Sequence, residues 1–141
     1  MHKNLISEVI ETSILGDERG NLAVVENLVN IPFETKRVFY IFGTKKGVRR
    51  GFHAHYKTRQ ALISVSGSCK VHLDNTIRKE DVLLDSPNKI LILEPNDWHE
   101  MYDFSEDCVL LVLASELYDS EDYIRDYDKF LEIYSEMMQE V

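Results

Sequence analysis

This 141-residue chain is short of several things: it has two cysteines, three prolines, six glycines and one tryptophan. Two cysteines are too few to staple a small secreted scaffold. Cys69 and Cys108 each sit in an apolar, strand-like run, and so read as buried free thiols of a reducing compartment. No apolar run approaches the roughly 20 residues that cross a bilayer. The first ten residues lack the apolar core of a signal peptide, so the expectation is a cytoplasmic protein without a membrane partner. An excess of basic charge is also missing. Lys and Arg number 16 against 25 Asp and Glu, a net charge of −9, which argues against nucleic acid or an anionic membrane as the main partner. There is no internal repeat, low-complexity tract or linker. With 44% hydrophobic residues, the whole of 1–141 reads as a single domain able to bury a real core.

What is present is mostly short strands. β-Branched and aromatic runs bounded by Gly, Pro, Asn and Asp turns predict strands over 7–13, 22–26, 37–42, 60–66, 68–74, 76–84, 89–93, 98–104 and 108–115. Residues 15–21 and 30–33 read as turn and loop. Gly67 reads as a hairpin turn between its flanking strands, and the last two strands read as a hairpin across 105–107. Many short strands at close spacing indicate an all-β sandwich or barrel, here about 7–115. The period then changes. Tyr123, Tyr127, Phe130, Leu131, Tyr134 and Met138 recur at helical spacing, predicting a C-terminal α-helix over about 119–138 that Asp119 or Ser120 caps. The tyrosines of that stripe read as packing residues.

The stretch around His53-Ala54-His55 carries the chemistry. Side chains alternate along a strand, so His53 and His55 share one face about 7 Å apart, and Phe52 and Ala54 face the other layer. Two inward imidazoles suit a metal ion or proton transfer near neutral pH. The plainer reading is a polar sheet face with two incidental histidines. Arg49, Arg50, Lys57 and Arg59 gather around the pair, a local basic cluster suited to an anion in an otherwise acidic chain.

From Gly47 the pattern runs Gly, five residues, His53-x-His55, four residues, Gln60, six residues, Gly67. This resembles the first motif of the cupins, β-barrels of the jelly-roll type. Pro95-Asn96-Asp97-Trp98-His99 resembles their second motif with the turn one residue shorter. Cupin metal sites usually carry an acidic residue where Gln60 stands. A carboxamide is a poorer ligand for a divalent cation, and the shorter turn displaces His99, so tight metal binding is not expected.

A narrower resemblance covers about 19–130. The runs Arg37-Val38-Phe39-Tyr40-Ile41-Phe42, Arg50-Gly51-Phe52-His53-Ala54-His55, Trp98-His99-Glu100-Met101, the 108–115 strand and the 119–127 segment resemble the dTDP-sugar 3,4-ketoisomerases, the WxcM-like cupins. The resemblance implies an enzyme that moves the ketone of dTDP-4-keto-6-deoxyglucose from C4 to C3, without metal or other cofactor. It implies a homodimer, commonly with exchanged N-terminal strands, feeding deoxysugars into surface glycans or secondary metabolites. On it, His53 and His55 form the acid/base pair, with His53 placed first for the C3 proton. Tyr40 orients a histidine or a sugar oxygen, and Arg50 and Arg37 neutralise the diphosphate. Gln60 contributes to the substrate site. Arg19 and His99 match the galacto-type members, which leans the product toward dTDP-3-keto-6-deoxygalactose. Glu94 departs from the family pattern; facing the pocket it would repel a diphosphate. Two other readings stay open: a non-catalytic sugar-nucleotide-binding cupin, and a metal-dependent cupin enzyme.

Overall fold

A computed structural model describes residues 8–139, with side chains through 135. The strands in chain order are β1 Glu8–Glu11, β2 Leu15–Asp17, β3 Gly20–Leu22, β4 Arg37–Phe42, β5 Arg50–His55, β6 Gln60–Ser66, β7 Cys69–Asp74, β8 Lys79–Leu84, β9 Lys89–Leu93, β10 Trp98–Tyr102, β11 Val109–Ala114 and β12 Tyr123–Ile124. A 3₁₀ turn (Ser120–Asp122) precedes β12, and helix α1 (Tyr127–Gln139) follows it. Ser7, where the first strand was expected to begin, and the side chain of Met138 lie outside the described residues.

Two five-stranded antiparallel sheets face each other, in the orders β1-β9-β6-β11-β4 and β12-β5-β10-β7-β8. This is the cupin-type jelly roll the sequence predicted. Leu62, Val71, Leu73, Leu84, Leu91, Leu93, Leu110 and Val112 fill the space between the sheets, and free Cys69 and Cys108 pack among them. Each fully buried aliphatic side chain contributes on the order of 2 kcal/mol to holding the sheets together. Burial is the main reason the Cys69 thiol is pushed far up, and the neighbouring Cys108 adds to it. Such a thiol stays protonated and inert. Outside the first sheet, Ile31 and Phe33 cover Ala61, Ile63 and Ile92. Outside the second, α1 lays Phe130 and Tyr134 against Ala54, Trp98 and Ile124.

Connectivity differs from the expected hairpins. β6 pairs with β9 and β11, whereas β7 pairs with β8 and β10, so Gly67 is a crossover between sheets. Likewise β10 pairs with β5 and β7 while β11 pairs with β4 and β6, so the last two long strands are not partners. Both flanking pairs are apolar on their inner faces, and a jelly roll satisfies them equally well from opposite sheets. A Cβ on Gly67 (φ +65°) would meet the Ser105 Oγ at 2.3 Å and the Cys108 Cα at 2.8 Å, so the crossing itself requires glycine.

Of the expected 22–26 strand only Leu22 is in a strand, closing a β2–β3 hairpin that turns at 18–19 within the expected turn; residues 23–26 are irregular, and the hairpin forms a ladder with neither sheet. The helix starts later than expected. Asp119 does cap, accepting from the Glu121 N–H, but it caps only the 3₁₀ turn. Asp126 starts α1, its carboxylate accepting from the Lys129 N–H at 3.1 Å. Tyr123 therefore belongs to a strand rather than to the helical stripe. β1 pairs with β9 of its own chain.

Candidate active site

β5 enters the barrel through a bulge. His53 is opposite His99 and Gly51 is opposite Glu100, which leaves Phe52 as the extra residue. Two backbone angles enforce this: Gly51 has φ 95° and Phe52 has φ 61°. A Cβ on Gly51 would come within 2.8 Å of the His99 carbonyl oxygen, so only glycine lets β10 approach this closely. The bulge also corrects one expectation: Phe52 lines the pocket, because the extra residue breaks the alternation. Ala54 faces the helix side as expected.

A cavity of about 440 Å³ opens beside this bulge. Phe39, Ile41, Leu62 and Val112 of the first sheet make one wall, together with Gln60. The second sheet supplies Arg50, His53, His99 and Met101, and the β12 region adds Tyr123 and Arg125. His55 lies behind this wall, 2% exposed, with its ring centroid 5.1 Å from His53 and 4.6 Å from Tyr123. His99 was expected to be displaced by the shorter turn. It is instead 4.5 Å from His53, centroid to centroid, and wholly inside the cluster.

The tautomers of the three histidines follow from their partners. His53 Nδ1 lies 3.1 Å from the Gly51 carbonyl and His99 Nδ1 lies 3.1 Å from the Asp97 carbonyl. Carbonyls only accept, so both Nδ1 atoms carry the proton and donate. His55 Nδ1 lies 3.2 Å from Asp122 Oδ2. Burial lowers the pKa of all three below the ordinary histidine value, His55 to about 4 and His99 well down. For His55 and His99 the neighbouring histidines add to the lowering. Near neutral pH the cluster is three uncharged imidazoles.

One ring nitrogen of each histidine lies within 4.8 Å of the others. Three neutral imidazoles, each anchored through its other nitrogen, are a donor set that fits a divalent cation such as zinc. Gln60, buried at 3% exposure on the facing wall, supplies a carboxamide where a carboxylate would strengthen such a site.

The cations divide sharply. Arg50 and Arg125 reach the pocket, and Arg125 stacks 4.3 Å over the Tyr123 ring. Arg37 donates from both terminal nitrogens to the Tyr123 hydroxyl at 3.5 Å and lies over the Phe39 and Tyr118 rings. Its Nε is buried and has no hydrogen-bond partner among the described residues. Arg49 instead pairs with Glu100 at 2.6 Å, and Arg59 pairs with Glu94 at 2.8 Å. Glu94 is therefore neutralised by Arg59 and stands off the pocket wall, which removes its expected repulsion of a diphosphate.

Besides His55 and Arg37, which stand off the pocket wall, two expected site residues are elsewhere. Tyr40 sits on β4 between Phe39 and Ile41; those two face the pocket, so period-2 alternation turns Tyr40 outward, 60% exposed. Arg19 is on the β2–β3 hairpin, ion-paired with Asp17 at 2.5 Å and away from this pocket. Conversely, Asp122, Tyr123 and Arg125 were missed, because the helical stripe was read four residues too far toward the N-terminus. Asp126 as the capping residue was the signal that would have released this segment from the helix.

Residues 6–135 match the protein family described as FdtA, WxcM-like, C-terminal. The chain is 51% identical over 124 residues to the TDP-4-oxo-6-deoxy-alpha-D-glucose-3,4-oxoisomerase of Aneurinibacillus thermoaerophilus, covering 88% of this chain and 89% of that protein. Its fold superposes on QdtA, a sugar 3,4-ketoisomerase from Thermoanaerobacterium thermosaccharolyticum in complex with TDP. There the TM-score is 0.92 and the identity 39%, over 96% of this chain and 98% of the other. A 3,4-ketoisomerase from Helicobacter canadensis superposes with a TM-score of 0.89 at 41% identity, over 94% of this chain and 99% of the other.

Proposed function

The chain belongs to the FdtA family, WxcM-like, C-terminal, and on that premise we propose that it moves the ketone of TDP-4-keto-6-deoxyglucose from C4 to C3. The observation that carries this reading is the neutral histidine cluster at the pocket wall, with His53 foremost and its Nδ1 tied to the Gly51 carbonyl. Its Nε2 is then the basic nitrogen.

The reaction asks for proton movements only. The C4 carbonyl acidifies the C3 hydrogen. When a base takes that proton, the C3–H electron pair forms the C3–C4 double bond and the carbonyl pair moves onto O4, giving an enediolate. Loss of the O3 proton and delivery of protons to C4 and O4 complete the shift, so two acid/base groups are needed. His53 is assigned the C3 proton, and His55 is its partner in returning protons. Tyr123 takes the sugar-oxygen role first expected of Tyr40, since its side chain lines the pocket. Arg50 faces the diphosphate, with Arg125 beside it, because a guanidinium matches phosphate oxygens bidentately. Arg37 acts through the Tyr123 hydroxyl. Phe39, Ile41, Leu62 and Val112 keep water from the enediolate. No step requires a metal ion, and the Gln60 carboxamide weakens the site for one.

The product is read as galacto, dTDP-3-keto-6-deoxygalactose, on the resemblance of Arg19 and His99 to the galacto-type members. His99 lines the pocket 4.5 Å from His53, where its free Nε2 can take up a proton and return it to one face of C4. The reading includes a cytoplasmic homodimer with crossed N-terminal strands. Support comes from the β2–β3 hairpin, which ladders with neither sheet and exposes Leu15 and Leu22, and from the exposed Val38, Tyr40 and Phe42 of β4. A hairpin lying over the pocket of a second copy would return Arg19 to the substrate.

The test is a proton and carbon NMR time course of TDP-4-keto-6-deoxyglucose with the protein in D2O, with chelator present. The expected result is a carbonyl migrating to C3 with deuterium at C4 and, in a parallel run in H2O, an H4–H5 coupling of the galacto configuration. Unchanged substrate with line broadening would replace the enzyme by a binding module. Activity abolished by chelator alone would make the metal-dependent reading correct.

A further inference from the structure

Asp122 is 7% exposed and takes no part in the pocket wall, yet it is the most heavily hydrogen-bonded carboxylate around the site. Its Oδ1 accepts from the Lys57 N–H at 2.7 Å. Its Oδ2 accepts from the Thr58 N–H at 3.2 Å and from the Thr58 hydroxyl. Burial raises its pKa, but the Thr58 hydroxyl, the two backbone N–H groups and His55 outweigh that and lower it overall. With the Lys57 N–H, the Thr58 N–H and the Thr58 hydroxyl all donating to its oxygens, Asp122 is held as a carboxylate and has no hydrogen to give.

The consequence falls on His55. Facing an ionised oxygen at 3.2 Å, its Nδ1 must be the protonated nitrogen, and its Nε2 holds the lone pair. That Nε2 is buried and has no hydrogen-bond partner among the described residues. An unpaired buried acceptor is ordinarily destabilising. The surrounding chain is built to hold it in place. β12 pairs Tyr123 with His55, the Tyr56 N–H bonds the Asp122 carbonyl, and the Tyr134 hydroxyl bonds the His55 carbonyl at 2.6 Å. His53 and His99 are backed only by backbone carbonyls; of the three, His55 alone has a carboxylate behind it.

We infer that Asp122 is a positioning residue: it fixes His55 in the Nδ1-protonated tautomer, turns the free Nε2 toward the histidine cluster, and stabilises the imidazolium formed when that Nε2 accepts a proton. The proton balance is simple. One proton joins His55 Nε2 and its lone pair becomes the new N–H bond. The ion pair with Asp122 holds the charge until the same proton leaves. This assignment deepens the ketoisomerase reading and rests on it for its role in turnover, while the tautomer itself is independent of any substrate.

The experiment uses the full chain labelled with ¹⁵N in histidine, and Asp122→Asn beside it. In the unsubstituted protein the His55 imidazole nitrogens should report an N–H at Nδ1 and a lone pair at Nε2. In Asp122→Asn, the amide that replaces Oδ2 offers a hydrogen to Nδ1, and the tautomer should invert. Turnover of TDP-4-keto-6-deoxyglucose should then fall at least tenfold in kcat with KM within about threefold, and Asp122→Glu should recover part of the loss. A proton on Nε2 in the unsubstituted protein overturns the inference, even if the Asn variant fails to fold. So does an Asn variant with inverted tautomer and unchanged kcat. Absence of turnover in the unsubstituted protein with the Nδ1 tautomer present would sink the ketoisomerase reading and leave the assignment of the tautomer standing.

Discussion

The two sheets contribute opposite things to one pocket. The first offers Phe39, Ile41, Leu62 and Val112, with Gln60 as its single polar group; the second offers His53, His99, Arg50 and the Tyr123–Arg125 segment. The apolar wall is continuous with the barrel core, since Ile41, Leu62 and Val112 belong to the same packed cluster as Leu73 and Leu91. The polar wall is instead set by bulge, caps and buried hydrogen bonds. On the proposed reading the barrel separates exclusion of water from movement of protons. Substitutions on the two walls should accordingly fail in different ways.

The largest effect expected is on the polar wall. His53→Asn should lower kcat between a hundredfold and ten-thousandfold, the usual scale for a general acid or base, while the fold survives. Its counterpart Leu62→Ala should cost about 2–5 kcal/mol of stability, as buried leucines do, with kcat changed only a few fold. Steady-state kinetics together with urea unfolding of both variants reads the split. A Leu62 variant that loses kcat as heavily as the His53 variant would end the division of labour between the sheets.

The second effect separates the walls by pH. His55 is held neutral, its pKa lowered to about 4 by burial first and by His53 second. An unfolded histidine titrates near 6.5, so below that value the unfolded state binds a proton the folded state refuses. The stability is therefore complete above about pH 6.5 and falls as pH drops toward about 4, by about 3 kcal/mol from His55 alone. Urea unfolding at a series of pH values checks this, and His55→Asn should flatten the acid limb. An equally steep limb in that variant would move the effect to another buried group.

Much of this was legible in the sequence, and the rest was hidden for definite reasons. The strands of the apolar wall announce themselves, because buried β-branched runs admit few alternatives; which sheet each joins does not, since either placement buries them. His53 and His55 were found because spacing within one strand fixes a face, and Gln60 and Arg50 because of their places in motifs shared with the family. Phe52 was misplaced because a bulge is set by backbone contact with His99, which no periodicity records. Asp122, 67 residues from His55, meets it only through the fold, and its segment was masked by a helical stripe that begins in earnest at Tyr127.

The two tyrosines sharpen the comparison at its finest grain. Tyr40 was expected in the site from its place one strand before the histidines, but alternation on β4 gives the pocket to Phe39 and Ile41 and leaves Tyr40 outside. Tyr123 was expected to be packing, yet its ring lies 4.9 Å from His53 and its hydroxyl is the acceptor for Arg37. Removing that hydroxyl leaves a half-buried guanidinium without its oxygen and, on the proposed role, the substrate without a donor. Loss of one such hydrogen bond is worth about 1 kcal/mol. Tyr123→Phe should therefore slow turnover about fivefold, whereas Tyr40→Phe should leave it within twofold. Parallel kcat/KM measurements on the two variants decide between them. The reverse ranking would mean that the outer face of β4 reaches a substrate, which this barrel permits only if a second copy completes the pocket from that side.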